Sequence, residues 1–308
     1  MKLPFASFVL KKGGKLLRVN AIDGLEVILN RNWFPRPSDY FPSAFEKESK
    51  SRTLMNWKDK VVLITGASSG IGRGLAIELA RRGAAVGLFA RRIEALREVE
   101  AEIVNAGGRA ISLSGDVLCP ESLREAAWHL SREFGIIDLM IANAGIGAAT
   151  RGHNLPLDDV ARIINVNLIG AANSAAAVIP TMVSRGSGRV VAIASLAAYR
   201  GLPNSAAYCA SKAGVSKLYE SLRVDLHGTG VEVTVIFPGF VRTKLTATHT
   251  NMLFLMDVDT AVRKIVRAIE RGKQSYSFPW QLASFVRAGL FFPIWLYDRV
   301  ALRYAYRQ

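Results

Sequence analysis

The 308-residue sequence predicts an α/β fold, a doubly wound parallel sheet in a single domain, and three observations predict it. From residue 61 onward, short β-branched apolar runs alternate with amphipathic stretches of helical length. The runs are apolar almost throughout rather than at every second position, as in strands covered on both faces. A glycine-rich turn, Thr65-Gly66-Ala67-Ser68-Ser69-Gly70-Ile71-Gly72, follows the first run directly and leads into a helical pattern.

Taken in order, strands are expected over 61–65, 85–90, 110–114, 139–142, 189–194 and 232–237. Helices fall between them, for example over 70–82 and over 93–106, the latter stopped by Gly107-Gly108. Such alternation requires right-handed crossovers, and no repeat of solenoid period interrupts it. The sequence therefore divides into an N-terminal extension (1–54), a Rossmann-type cofactor-binding and catalytic core (55–250), and a substrate lid with an apolar, basic C-terminal helical segment (251–308). The extension shows no sustained helical or strand period and holds the loop-like Trp33-Phe34-Pro35-Arg36-Pro37-Ser38-Asp39. Met55 offers an internal start that would leave 1–54 as upstream over-read; a native mass beginning at Met1 would remove that alternative.

Half of the residues are hydrophobic and 21% are charged, a balance that excludes disorder, collagen and coiled coil as overall descriptions. Two cysteines, Cys119 and Cys209, are too few for a disulfide framework, and four scattered histidines suggest no metal. No uninterrupted apolar run reaches the roughly 18 residues of a spanning helix, and the run 3–10 ends in Lys11 and Lys12 without a small-residue cleavage site. A cytoplasmic protein is expected. The net charge of +15 falls in equal shares of five on 1–54, 55–270 and 271–308, so two thirds of it lies outside the middle. With neither zinc-finger spacing nor an RNA-recognition signature, nucleic acid is not the expected partner. Anionic lipid fits the charge better; charge that merely keeps the protein soluble is the other reading.

Glycines in the first turn let the chain bend tightly, let a pyrophosphate approach the backbone, and let the helix pack on the sheet with its N-terminus toward the phosphate. At the end of the second expected strand the sequence reads Phe89-Ala90-Arg91-Arg92. An acidic side chain there would hold the ribose hydroxyls of NAD, whereas Arg91 and Arg92 suit a 2′-phosphate, so NADP(H) is the expected cofactor. Asp116-Val117 after the third strand and Asn143-Ala144-Gly145 after the fourth also stand at carboxyl ends of strands, where ligands bind in this architecture.

Tyr208-Cys209-Ala210-Ser211-Lys212 places Tyr208 and Lys212 four apart, on one face of a helix. A phenol with an ordinary pKa near ~10 ionises more readily beside an ammonium, so the pair suits acid/base work. Any exposed helix could carry such a pair, and its company is what distinguishes this one. Ser195 follows the fifth strand and could hydrogen-bond an oxygen whose charge changes in reaction. Asn167, in Asn165-Val166-Asn167-Leu168, could hold an ordered water that passes protons toward Lys212.

Residues 60 to about 245 resemble the short-chain dehydrogenase/reductase family, several of whose motifs occur here in order. The resemblance implies a tetrad of Asn167, Ser195, Tyr208 and Lys212, with Tyr208 as proton donor and Lys212 also binding the nicotinamide ribose. Pro238-Gly239-Phe240-Val241-Arg242-Thr243 resembles the segment that meets the nicotinamide, Val241 and Thr243 being the matching contacts. One departure is Ala142-Asn143-Ala144-Gly145 where the family often has Asn-Asn-Ala-Gly, which bears on a sheet-stabilising side-chain bond. The implied activity is NADPH-dependent interconversion of a carbonyl and a secondary alcohol, in a homo-oligomer, a dimer or a tetramer. The alternatives are a cofactor-sensing binding protein without catalysis and a membrane-surface scaffold.

Beyond 245 the sequence turns apolar at Met252-Leu253-Phe254-Leu255-Met256, which suits either a lipophilic substrate or core packing. The stretch 276–308 holds 10 of the 27 aromatics, interleaved with Arg287, Arg299, Arg303 and Arg307. That mix fits a segment lying on an anionic membrane, or one covering the active site or a neighbouring subunit. Pro279 and Pro293, with Arg287 inside the apolar run, argue against a spanning helix.

Overall fold

The computed structural model describes residues 8–12, 15–19, 55–246 and 252–305. The chain separates into two units, Met1–Ser51 and Arg52–Gln308. In the first, β1 (Phe8–Lys12) and β2 (Lys15–Val19) pair as an antiparallel hairpin, Phe8 opposite Val19 and Lys12 opposite Lys15. No strand was expected there, because neither five-residue segment alternates apolar with polar.

The second unit follows the predicted alternation. Its elements begin with β3 (Val61–Thr65), α1 (Gly70–Arg81), β4 (Ala85–Ala90), α2 (Ile93–Asn105), β5 (Arg109–Ser114), α3 (Pro120–Phe134) and β6 (Leu139–Ala142). A long helical run comes next: α4 (Leu157–Ile164), a π turn (Asn165–Ile169) and α5 (Gly170–Ala176), followed by α6 (Ile179–Arg185). Then come β7 (Gly188–Ile193), α7 (Ala206–Asp225), β8 (Val231–Pro238), α8 (Val258–Glu270), β9 (Ser275–Phe278), α9 (Trp280–Ala288) and α10 (Ile294–Ala305). The seven strands β3 to β9 form one sheet in the order β5-β4-β3-β6-β7-β8-β9, every neighbouring pair parallel. The chain winds outward from β3 to β5, then returns to place β6 on the other side of β3. A crevice therefore opens between the carboxyl ends of β3 and β6, where the strand order reverses.

Alternation of side chains about the strand axis assigns each strand residue to one of two cores. Val62 and Ile64 pack with Leu75 and Leu79 of α1, Leu96 and Ile103 of α2, and Ile265 of α8. Val61 and Leu63 face the opposite layer, with Leu123 and Leu130 of α3, Ala171 of α5, and Val215 and Tyr219 of α7. In α1 the buried set Leu75, Ala76, Leu79 and Ala80 makes the single stripe that covers the sheet.

Residues 258–278 continue the doubly wound pattern past 250, where the sequence reading ended the core. Helix α8 is the crossover from β8, and β9 adds a seventh strand, Val235 opposite Ser275 and Pro238 opposite Phe278. Ser275–Phe278 escaped prediction because this edge strand has four residues and buries only Phe278. The run Leu157–Arg185 is, by length and composition alone, able to cross a membrane. Here it belongs to the fold: Asn167 within it reaches the site described next, and Ala171 O accepts the Tyr219 hydroxyl at 3.0 Å.

Candidate active site

The glycine-rich turn connects β3 to α1 at the crevice. Gly66 and Gly70 have φ of +68° and +56°, conformations that side chains rarely adopt. A Cβ on Gly72 would stand 2.3 Å from Gly66 O and 2.5 Å from Asn143 Nδ2, so the turn closes only with glycine there. Ser69 precedes α1 without capping it, and no acidic residue stands in the helix's first turn. The helix N-terminus is thus left for an anion. Ile71 packs partly into the core below. Arg92 Nη2 donates to Ser68 Oγ at 3.2 Å, which joins the end of β4 to the turn; Arg91 and Arg92 are both exposed.

The β3–β6 junction is held by a residue that sequence reasoning missed. Thr65 Oγ1 accepts from Asn143 N (3.1 Å) and Ala144 N (3.3 Å), while Asn143 Nδ2 donates to Thr65 O (3.0 Å) and Gly66 O (3.3 Å). Thr65 also donates to Ile141 O at 3.4 Å, so strand and turn are tied beside a buried Ala142. Asp116 closes its own turn by accepting from Leu118 N at 2.9 Å, and Val117 O accepts from Asn173 Nδ2 at 2.9 Å. After β8, Gly239 N donates to Phe278 O at 2.7 Å, and Thr243 comes against Gly70. The Val241 side chain is turned into the core, so a contact with the nicotinamide at this position would come from its backbone. Val241 is 3% exposed, packs in the core and bridges to Met256.

On the other side of the crevice, α7 brings Tyr208 and Lys212 to one face, and the 3₁₀ turn after β7 brings Ser195 to them. Ser195 Oγ accepts from Ala197 N at 3.1 Å and hydrogen-bonds the Tyr208 hydroxyl. Lys212 is 5% exposed and donates to Ile193 O at 2.8 Å, its ammonium 5.8 Å from the centre of the Tyr208 ring. Tyr208 itself remains partly accessible.

Asn167 lies in the π turn, a local widening that recurs at functional sites. Its amide pairs with Ile146, Oδ1 accepting from N at 2.8 Å and Nδ2 donating to O at 3.0 Å, and Nδ2 also donates to Ser211 Oγ at 2.9 Å. Ser211 in turn donates to Tyr208 O at 2.8 Å. The Asn167 side chain is thus bonded directly to protein, which leaves its backbone to serve the water expected of this residue. Gly145 lies over both groups: a methyl added there would stand 3.3 Å from Asn167 Oδ1 and 3.5 Å from Lys212 Nζ. Ile146 and Ile193 contribute backbone groups, which no side-chain motif announces; Ser211 lies inside the Tyr208–Lys212 segment.

Electrostatically, desolvation dominates both partners. Burial pushes the Tyr208 phenol up to about 12, more than the Ser195 hydrogen bond draws it down. Burial pushes Lys212 down to about 8. The ammonium expected to favour the phenolate bonds a carbonyl instead, so in this state Tyr208 is an acid that keeps its proton.

A crevice with a glycine-lined anion cradle on one side and a Ser-Tyr-Lys cluster on the other defines a dinucleotide-dependent oxidoreductase. The short chain dehydrogenase family matches residues 60–253. An uncharacterized oxidoreductase of Myxococcus xanthus is 46% identical over 245 residues, 79% of this chain and 97% of that protein. An uncharacterized oxidoreductase of Mycobacterium tuberculosis is 37% identical over 222 residues, 71% of this chain and 88% of that one. Among solved structures, a short-chain type dehydrogenase/reductase from Mycobacterium marinum superposes with a TM-score of 0.68 at 29% identity, covering 73% of this chain and 95% of that one. A family member from Burkholderia phymatum, in complex with NAD, gives 0.70 at 25% identity, covering 76% and 94%. The chain belongs to the short-chain dehydrogenase/reductase family and is an oxidoreductase of that family, whose cofactor is NAD(H) or NADP(H).

Proposed function

We propose that the protein is an NADPH-dependent reductase that interconverts a carbonyl and a secondary alcohol on a lipophilic substrate. The observation that carries this reading is the meeting of Ser195, a partly accessible Tyr208 and a buried Lys212 at the mouth of the crevice. NADPH, when bound, supplies the hydride. Gly66, Ser68, Ser69, Gly70, Ile71 and Gly72 would hold its pyrophosphate side and Arg91 and Arg92 its 2′-phosphate. Asp116, Val117, Asn143, Ala144 and Gly145 would line its path, with Pro238, Gly239, Val241 and Thr243 closing over it. The Gly72 contact and the uncapped α1 support a fit to such an anion.

Tyr208 holds its proton through the neutral range and releases it to the substrate oxygen as charge builds there. Ser195 Oγ orients that oxygen. Lys212, poised to exchange protons near pH 8, restores the Tyr208 proton, and Asn167 positions the loop at Ile146 and the α7 face around it. All four residues meeting in one site supports turnover over cofactor sensing alone. Exposed Leu202, Leu245, Leu253 and Phe254 support an apolar substrate. We place the protein in the cytoplasm as a homo-oligomer, a dimer or a tetramer, with exposed Leu157, Ile169 and Val224 as apolar surface for it, and its C-terminal segment at a membrane surface.

Tyr208→Phe should keep NADPH binding and lose about 10²–10⁴-fold in turnover, as general acids do. Unchanged turnover would refute the assignment. Across ketones of increasing apolar length, kcat/KM should rise by up to about fourfold per buried methylene; a flat series measured by NADPH oxidation would exclude a lipophilic pocket.

A further inference from the structure

The outer face of α9 and α10 is left uncovered by the described residues. Their inner side is firmly attached: Leu282 and Ala283 are buried, and Arg287 Nη2 donates to Tyr199 Oη at 3.1 Å and Ser277 Oγ at 3.0 Å. Tyr297 donates to Gly201 O, and the Arg200 guanidinium stacks 4.0 Å from the Tyr297 ring centre. On the outer side Trp280, Phe291, Ile294 and Trp295 are 72%, 88%, 74% and 67% exposed. Single exposed apolar residues are ordinary; a cluster of large ones marks an interaction surface. On α10, Trp295, Arg299 and Leu302 stand at i, i+4 and i+7, so Arg299 shares the face of Trp295 and Leu302, with Ile294 and Arg303 at its two edges.

Charge selects the occupant. Over 279–303 the face carries Arg299 and Arg303 against a single acid, Asp298, while Arg287 is engaged on the inner side. A second copy packed about a two-fold axis passing at Arg299 and Arg303 would bring like arginines together. Anionic headgroups meet them with opposite charge, and tryptophan beside arginine belongs at the depth of the headgroup layer. At about 1.5 Å per residue, the twelve residues of α10 reach about 18 Å, short of the roughly 30 Å hydrocarbon core, so the helix lies along the surface.

We propose that this face docks the protein on an anionic lipid bilayer with α10 flat against the headgroups. Gly201 and Arg200, which hold α10, lie on the segment between Ser195 and Tyr208, so docking turns the rim of the reaction site toward lipid. At that rim Leu202 and Leu245 are exposed, and Leu245 and the Tyr208 ring both border Gly147. Apolar carbonyl compounds then enter from the bilayer, a step that rests on the reductase reading.

Full-length protein is floated with phosphatidylcholine vesicles containing phosphatidylglycerol and with vesicles of phosphatidylcholine alone. Flotation with the anionic vesicles only is expected. Phe291→Ser combined with Trp295→Ser should abolish it, and Arg299→Glu combined with Arg303→Glu should lower partitioning at least about 30-fold. NADPH oxidation with a short water-soluble ketone should be unchanged in both variants. Absent flotation, equal flotation on neutral vesicles, or flotation indifferent to the substitutions overturns the proposal. So does sedimentation velocity showing that the same substitutions dissociate a wild-type oligomer without lipid. Tyr208→Phe should float like wild type, so failure of the reductase reading appears in turnover alone and failure of docking in flotation alone.

Discussion

Lys212→Met removes a buried ammonium and thereby exposes its effect on stability. The folded pKa of about 8 lies below the ordinary 10.5, so between these values the unfolded chain binds more protons than the folded one. Stability from this group is therefore complete above about 10.5 and is lost as pH falls through about 8. Without cofactor, wild type should gain on Lys212→Met by up to a few kcal/mol between pH 8 and 10, measured by denaturant unfolding. The window stops at 10 because Tyr208, raised to about 12, works in the opposite direction above it. Parallel pH profiles for the two proteins would contradict a desolvated Lys212. On the NADPH proposal, substitution of Arg92 by serine should weaken NADPH about tenfold and change NADH far less, since the 2′-phosphate would lose a guanidinium partner. Thr65→Val, which takes an acceptor from Asn143 N and Ala144 N, should cost about 1–3 kcal/mol of stability. The Tyr-Lys pair was legible because its meeting on one helical face lies in local spacing; Thr65 was not, because its partners are 78 and 79 residues away.

Among the elements, the glycine-rich turn is tightly constrained. Gly72→Ala would force a methyl against Gly66 O and Asn143 Nδ2, so NADPH binding, followed by fluorescence titration, should be lost while far-ultraviolet circular dichroism persists. Intact binding would show that the turn relaxes more than its contacts allow. Six strands of the sheet could be read from apolar runs to within a residue or two at each end. The seventh could not, because an edge strand needs few apolar side chains, and β9 is specified by hydrogen bonding to β8 more than by its composition. The π turn is similarly silent: Asn165–Ile169 looks like ordinary helix, and what widens it depends on where Asn167 finds Ile146 and Ser211.

Across the whole second unit, Glu270 at the end of α8 gathers distant parts, accepting from Trp57 Nε1 at 2.7 Å and Arg82 Nη1 at 2.5 Å. Glu270→Ala leaves the indole without its partner and should lower unfolding free energy by about 1–3 kcal/mol; no change would mean that water replaces the carboxylate freely. Ligand linkage acts at the same scale. NADPH at about a hundred times its Kd should stabilise the fold by about 2.7 kcal/mol, and should raise Tm more than equal NADH.

What the sequence determined by itself is whatever depends on neighbours along the chain: the strand–helix alternation, the glycine turn, the arginines after β4, and Tyr208 and Lys212 on one helical face. Tertiary structure decided what depends on neighbours in space. It paired Asn167 with Ile146, gave the Lys212 ammonium to Ile193 O, made desolvation rather than charge attraction govern Tyr208, and extended the sheet to β9. The physical reason is that burial and backbone carbonyls control these outcomes, and neither carries a residue-type signature until the chain has folded.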